Sequence, residues 1–383
     1  MSNGLEKYPK LRFPGFEEPW TETAFSSFSA INPKSENLPD KFIYIDLESV
    51  LSGELQSEKI EFAQTAPSRA QRTLIKNDVL FQTVRPYQQN NYFYTNTNIN
   101  NLPCVASTGY AVFRTKNNAK FLYALIHTNS FLADILKRCT GSNYPSINGY
   151  DIENITIFYP SLQEQEKIGD FMSLIDKKIR KTKLLIKALK KYKRGLRQQV
   201  FPQKGETTPK LRFAGFTVPW EQHKVKNIAP LQRGFDLPTS QIEEGIYPVI
   251  MSNGIGGYHS HFKVKGPGII TGRSGTIGKL HYIESDYWPH NTTLWITDFY
   301  GNNQKFIYYM YQHLDLSRFS TGSGVPTLNR NDVHNELVWI PSVREQERIS
   351  EHLTNLDRLI TLHQRKLSKF QTLKSALLQQ LFI

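Results

Sequence analysis

Two stretches of this 383-residue chain, 161–201 and 342–383, contain almost no Gly or Pro and repeat apolar side chains at three- and four-residue steps. In the first, heptad position a falls on Ile168, Ile175, Thr182, Leu189 and Leu196, and position d on Met172, Ile179, Ile186, Lys193 and Val200. Adding 181 gives Ile349, Leu356, His363, Phe370 and Leu377 at a, and Leu353, Ile360, Leu367, Lys374 and Leu381 at d. Spacing of 3.5 residues held over about five heptads predicts two coiled-coil helices, each with polar breaks at the same two places. Each is preceded by a proline and a serine, Ser161 or Ser342, with Glu164 or Glu345 three residues on, the spacing of a capping box. At 1.5 Å per residue such helices reach roughly 55 Å, which makes them spacers as much as core.

Residues 21–160 and 221–341 read differently. Asn, Gly, Pro and Tyr separate short β-rich runs, among them Val79 to Val84, Tyr110 to Arg114, Gly268 to Thr271 and Thr293 to Ile296. Short helices are expected over Lys120 to Lys137 and Asn303 to Asp315, so both segments are mixed α+β.

The halves are repeats of one another with unlike interiors. Pro9-Lys10-Leu11-Arg12-Phe13-Pro14-Gly15-Phe16 returns as Pro209-Lys210-Leu211-Arg212-Phe213-Ala214-Gly215-Phe216, an offset of 200. Pro160 to Glu166 matches Pro341 to Glu347, and Gly141-Ser142-Asn143-Tyr144-Pro145-Ser146-Ile147-Asn148 matches Gly322-Ser323-Gly324-Val325-Pro326-Thr327-Leu328-Asn329, both at 181. A frame that repeats around divergent middles suits a target with two unlike parts. If a pseudo-two-fold axis relates the halves, the helices run antiparallel with one globular segment at each end.

The net charge of +13 points to an acidic partner, but it is unevenly placed. Segments 1–160, 161–201, 202–341 and 342–383 carry 0, +8, +2 and +3, so any base reading must come from local groups on near-neutral domains. No basic N-terminal stretch leads into an apolar run, and no segment approaches the roughly 20 apolar residues of a membrane span, so a cytoplasmic protein is expected. Cys104 and Cys139 are too few for a disulfide framework or a metal cluster and are read as buried thiols.

The order of these parts resembles the specificity subunit of type I restriction-modification systems. The residues that carry the resemblance are the Pro-Ser/Leu-x-x-Glu-Gln-Glu helix starts at 160–166 and 341–347, the Gly-x-x-x-Pro-x-Ile/Leu-Asn loops, and the pairs Ile175-Asp176 and Leu356-Asp357. The stretch Gly272-Arg273-Ser274-Gly275-Thr276-Ile277-Gly278-Lys279 is similar to the recognition-domain hairpin of such subunits. The resemblance implies an α+β architecture of two target recognition domains joined by two long helices packed as an antiparallel coiled coil. The boundaries it gives are a first domain at 1–160, a central helix at 161–201, a second domain at 202–341 and a C-terminal helix at 342–383. It implies a non-catalytic reader of double-stranded DNA in which each domain contacts half of a bipartite, asymmetric site. The helices would set the spacing and dock two methyltransferase subunits, and restriction (motor) subunits would join that core. No cofactor is expected in this chain; S-adenosylmethionine would belong to the methyltransferase partner, and ATP and Mg to the restriction partner. A related reader of type IIB kind shares the architecture.

Base readout needs forked donors or mixed donor and acceptor ends, most often Arg to guanine and Asn or Gln to adenine. In the first half the candidates are Arg85, Tyr87, Gln88, Gln89, Asn90 and Asn91, with Ser142, Asn143 and Tyr144 of the closing loop. In the second they are Arg273, Ser274 and Thr276 in a Gly-rich hairpin, Gln232 and Arg233 of an earlier loop, and Ser323 and Thr327 of the closing loop. A solvated turn is the competing reading for each, since Asn, Gly and Pro are turn residues. Gly272 to Leu280 is not a phosphate-binding loop, because five residues separate the glycines where four are needed and Leu280 replaces Ser or Thr. His259, His261, His281 and His290 lack a ligand set that would complete a metal site. The basic run of the central helix, from Lys177 to Arg197, suits partner docking or solvent better than the DNA backbone. A self-sufficient methyltransferase or nuclease is disfavoured by the lack of an Asn/Asp-Pro-Pro-aromatic motif, and a coiled-coil scaffold without DNA contact is the remaining alternative.

Overall fold

The computed structural model describes residues 7–35, 37–203, 205–322 and 324–383. The chain forms two compact units, one made of residues 1–183 and 365–383, the other of residues 184–364. The expected segments cut the chain at helix ends, whereas the units cut both long helices near their middles. Each unit holds one mixed α+β domain, half of the helix Leu162–Val200 and half of the helix Val343–Gln380.

In the first unit one four-stranded sheet has the order Lys59–Phe62, Lys41–Ile45, Cys104–Ser107, Ala70–Thr73. The pair Cys104–Ser107 and Lys41–Ile45 is parallel and its neighbours are antiparallel. A second sheet has the order Ala30–Ile31, Tyr110–Arg114, Val79–Gln82, Tyr92–Phe93. The runs Phe42 to Ile45 and Val79 to Gln82 are buried throughout, as strands covered on both faces must be. The helix expected over Lys120 to Lys137 is two helices, Ala119–Leu125 and Asn129–Arg138. The Thr128 hydroxyl accepts from the Phe131 N–H and starts a new N-terminus. In the second unit the sheet order is Leu231–Arg233, Thr293–Ile296, Gly268–Gly272, Leu280–Ile283, beside a three-stranded sheet Gly254–His259, Tyr247–Met251, Trp288–Pro289. The helix Gln304–Leu314 is capped by Asn303.

The repeated sequences make repeated contacts. Thr21–Ala24 pairs with Thr156–Tyr159 in the register Thr21 to Tyr159, and Glu221–Lys224 pairs with Leu337–Ile340 in the register Glu221 to Ile340. The Arg12 guanidinium donates to both oxygens of Glu164 at 2.8 Å, and Arg212 does the same to Glu345 at 2.8 and 2.7 Å. Each carboxylate is 1% exposed, and the hydrogen bonds it accepts, aided by its charge, raise the pKa of the arginine. The capping box is therefore half formed in the first helix: the Ser161 hydroxyl accepts from the Glu164 N–H at 3.5 Å, while the Glu164 side chain turns to an arginine 152 residues away. The next residues, Gln165 and Gln346, accept from the N–H of Asn118 and Asn303, the caps of the domain helices they face.

The opening motif closes on a helix end in the same way in each half. Leu11 donates its N–H to the Gln380 carbonyl at 2.8 Å, and Leu211 to the Gln199 carbonyl at 2.9 Å. Trp20 packs edge-on against Phe121 and Phe382, and Trp220 against Phe306 and Phe201.

The seam positions do double service. Ile168, Met172, Ile175 and Ile179 share one apolar cluster with Leu377 and Leu381 of the other helix and with Phe25, Phe113 and Phe121 of the domain; Leu367 and Phe370 pack on it half-buried. Leu196, Val200, Ile349, Leu353 and Leu356 share the second unit's cluster with Leu231, Ile269 and Phe306, with Leu189 half-buried against it. Ile186 and Ile360 are buried as well. Burial of each such side chain stabilises by about 1.5–3 kcal/mol, so the helices are welded to their domains as well as to each other. Three of the four polar breaks have hydrogen-bonded partners. Lys374 Nζ lies 2.6 Å from Asp176, and Lys193 Nζ lies 2.5 and 2.6 Å from the two oxygens of Asp357, the same pair with its members exchanged at the offset of 181. Thr182 donates its hydroxyl to the Lys178 carbonyl one turn back. In each unit the helix segments run antiparallel, as those pairs and the shared clusters require.

Candidate nucleic-acid interface

In the first unit the strand Val79–Gln82 delivers the chain to a loop built on left-handed residues, Arg85 at φ 53° and Gln89 at φ 51°, around the short 3-10 turn Pro86–Gln88. Gln82, a buried glutamine missed by sequence reasoning, organises it. Its amide nitrogen donates to the Val84 carbonyl at 2.7 Å and the Gln88 side chain at 2.9 Å, and its amide oxygen accepts from the Asn90 N–H at 3.1 Å. Asn91 is enclosed: its side-chain oxygen accepts from the Gln82 N–H and its nitrogen faces His127 Nε2 at 3.4 Å. The Asn90 side chain accepts from the Ser52 N–H. Thus Asn91 and Asn90 shape the loop, while Tyr87 and Gln88 are exposed, Gln88 with its side-chain oxygen on Gln82, and Gln89 is half-buried.

The closing loop stands against this one. Arg85 donates its N–H to the Pro145 carbonyl at 2.7 Å, Ile147 donates to the Thr83 carbonyl at 3.1 Å, and the Arg85 guanidinium lies 4.3 Å from the centre of the Tyr144 ring. Ser142, Asn143 and Tyr144 are exposed, so an arginine, two tyrosines and several amides converge on one surface.

The second unit repeats this clip with a different loop. Gly275 donates its N–H to the Pro326 carbonyl at 3.0 Å and Leu328 to the Arg273 carbonyl at 2.8 Å, so residues 273 and 275 stand where 83 and 85 stand in the first domain. Ser274 bridges to Thr327, and Thr140 pairs with Ser146 as Thr321 pairs with Thr327. A Cβ at Gly272 would collide with the Thr276 carbonyl oxygen, and Gly275 and Gly278 both lie at φ 81°; this hairpin closes only with glycine there. Arg273 is half-buried with its N–H on the Thr292 carbonyl, and Thr276 is exposed. Ser323 lies outside the described residues.

Gln232 and Arg233 are exposed on the strand Leu231–Arg233. Sequence reasoning missed the group that orients the arginine: the Asp236 carboxylate accepts from Arg233 at 3.1 Å and also from the Asn291 amide. Asp236 and Asn291 are 55 residues apart, so no local signal joins them.

The other chemistry-bearing residues are committed elsewhere. His259 Nδ1 accepts from the Glu243 N–H at 3.1 Å, and among the described residues no three His, Cys, Asp or Glu side chains are placed to hold a metal ion. Cys104 is buried and Cys139 half-buried, and burial raises both thiol pKa values. His127 donates from Nδ1 to the Tyr123 carbonyl, and burial, aided by Lys374, pushes its pKa down to about 4. No helix among the described residues is long and apolar enough to cross a membrane.

A family model described as the type I restriction modification DNA specificity domain matches residues 67–191 and 217–371. Over 143 residues the chain is 24% identical to the type I restriction enzyme HindI specificity subunit of Haemophilus influenzae, a match that spans 36% of this chain and 30% of that protein. It is 23% identical over 294 residues to the MjaVIII specificity subunit of Methanocaldococcus jannaschii, 68% of each. Among solved structures, the S subunit of the type I restriction-modification system from M. genitalium aligns with a TM-score of 0.68 at 16% identity over 98% of this chain and 99% of that one. A chain from a type I R-M assembly aligns with a TM-score of 0.56 at 19% identity, over 97% and 99%. At these identities the structural likeness shows the shared fold.

Proposed function

The chain belongs to the type I restriction-modification DNA specificity family, and from that premise we propose that it is the subunit that reads DNA sequence for a methyltransferase and endonuclease complex in the cytoplasm. Each domain reads one half of a bipartite, asymmetric site, and the chain itself carries out no chemistry. The observation that supports this most is the pair of unlike loops, Arg85 to Asn91 and Arg273 to Thr276, clipped to matching closing loops by the same two backbone bonds. A constant frame with exchangeable contents is what two different half-sites require, because phosphate contacts position a protein while side chains at base edges specify.

Within this reading Arg85, Tyr87, Gln88, Gln89, Ser142, Asn143 and Tyr144 serve the first half-site, and Gln232, Arg233, Arg273, Ser274, Thr276, Ser323 and Thr327 the second. An Arg233 held by Asp236 presents its fork with less freedom to lose on binding guanine. The long helices set the spacing between half-sites and dock two adenine methyltransferase subunits, which bind S-adenosylmethionine; the restriction subunits bring ATP and Mg. Exchanging residues 21–160 for those of a relative and mapping methylated adenines tests the assignment. One half of the methylated sequence should change. A change in both halves refutes modular reading, and methylation or cleavage by the purified chain alone refutes a non-catalytic subunit.

A further inference from the structure

Beside the first reading loop the structure opens a cleft of about 1290 Å³ that lies wholly within the first unit. One wall is the recognition domain, with Gln88 and Gln89 of the loop, Tyr92, and the turn from Ser52 to Glu58. The other is the central helix, which presents Lys177, Arg180 and Lys183. The charged groups around the cleft differ in how they are engaged. Asp176 is paired with Lys374, Lys120 with Asp170, and Glu58 accepts from the N–H groups of Ile99 and Asn100. Among the described residues no carboxylate stands within ion-pair distance of Lys177, Arg180 or Lys183. Three cations without an ion-pair partner among the described residues thus face a groove whose opposite wall carries the amides of the reading loop together with the carboxylates of Glu54 and Glu58.

We propose that Lys177, Arg180 and Lys183 bind the phosphodiester backbone of the duplex whose bases the first domain reads. The inference rests on the DNA-reading function and extends it to a residue set on the central helix. It also decides between the two uses open to this basic run. The equivalent positions of the C-terminal helix, 181 residues on, are Arg358, Thr361 and Gln364, so the cluster is not part of the repeated frame. Two copies of one partner docked on equivalent faces ask for like residues at both, and only one of the three positions, Arg358 for Lys177, keeps its charge. A backbone that runs continuously past the protein can be held on one side alone.

The test is the salt dependence of the full chain binding a fluorescent 40-base-pair duplex of arbitrary sequence, followed by anisotropy. Lys177→Gln, Arg180→Gln and Lys183→Gln are combined in one variant. A control combines Lys187→Gln, Lys190→Gln and Lys191→Gln, which removes the same charge outside the cleft. Each phosphate contact contributes about 0.9 to the slope of log K against log salt. The cleft variant should therefore have a slope shallower by about 2.7, a loss of affinity about 40-fold smaller than wild type between about 50 and 200 mM salt. The control should keep most of the wild-type slope. Equal slopes for wild type and cleft variant, the result if these cations serve an acidic protein partner, overturn the inference and leave the DNA reading standing. A wild-type chain that binds no duplex overturns both.

Discussion

Asp357 and Lys193 form a bond whose members should be unequally expendable. Lys193 occupies a seam position and its side chain is 15% exposed, whereas Asp357 is 40% exposed. Asp357 also accepts from the Tyr309 hydroxyl at 2.7 Å, and the ammonium lies 5.1 Å from the Tyr309 ring centre. In Asp357→Ala a mostly buried ammonium loses the carboxylate it is paired with, and among the described residues the tyrosine hydroxyl keeps Thr354 at 3.2 Å. Breaking a buried pair from one side costs about 3–5 kcal/mol, and hydrogen bonds to charged groups about 1.5–3; with partial exposure the loss should be about 2–3 kcal/mol. In Lys193→Met the remaining carboxylate can be hydrated and the seam gains an apolar side chain, so the change should fall within about 1 kcal/mol of zero. Urea unfolding of the full chain measures both, with hydrogen exchange along residues 184–200 and 343–364 assigning the transition to this unit. If Lys193→Met proves the more damaging, the lysine holds the helices together by charge, and the argument from exposure fails. Lys374 and Asp176, at 23% and 34%, should show the same order with a smaller gap.

Gly272→Ala should open the second hairpin, because the added methyl group meets the Thr276 carbonyl; duplex binding should fall at least tenfold while circular dichroism stays unchanged. The depressed pKa of His127 stabilises the fold above the ordinary histidine value of about 6.5, and that contribution is lost as pH falls through 6.5 toward 4, amounting to about 3 kcal/mol. Unfolding free energies from pH 7 to 4 should therefore fall more steeply in wild type than in His127→Gln, and parallel curves would remove the histidine from the account. Arg12→Ala leaves a buried Glu164 carboxylate unpaired and should lower stability by about 2–4 kcal/mol, with Glu164→Gln in the same background restoring part of it; no restoration in urea midpoints would deny that the charge is the cause.

Much of this architecture is legible along the chain because it rests on short periods and on copying. Apolar steps of 3.5 residues, two offsets and a pair of polar breaks are properties of order, and Ile168 to Val200 and Ile349 to Leu381 are where those steps place them. What folding adds lies at long separation. Glu164 looks like half of a capping box because its nearest serine is three residues away; its partner is Arg12, which no periodicity connects to it. Lys193 and Lys374 read as flaws in a seam until Asp357 and Asp176 are brought beside them. The equivalence of the two candidate loops was hidden for a different reason. Arg85-Pro86-Tyr87 and Gly275-Thr276-Ile277 share no side-chain chemistry, and the bonds that hold both to Pro145 and Pro326 are between backbone groups present at almost every residue. Chain order thus determines the helices, the repeat and the family resemblance, since these depend on which residue types recur and at what interval. Tertiary structure alone decides which unlike residues occupy the same place, because backbone hydrogen bonds and burial, not side-chain identity, put them there.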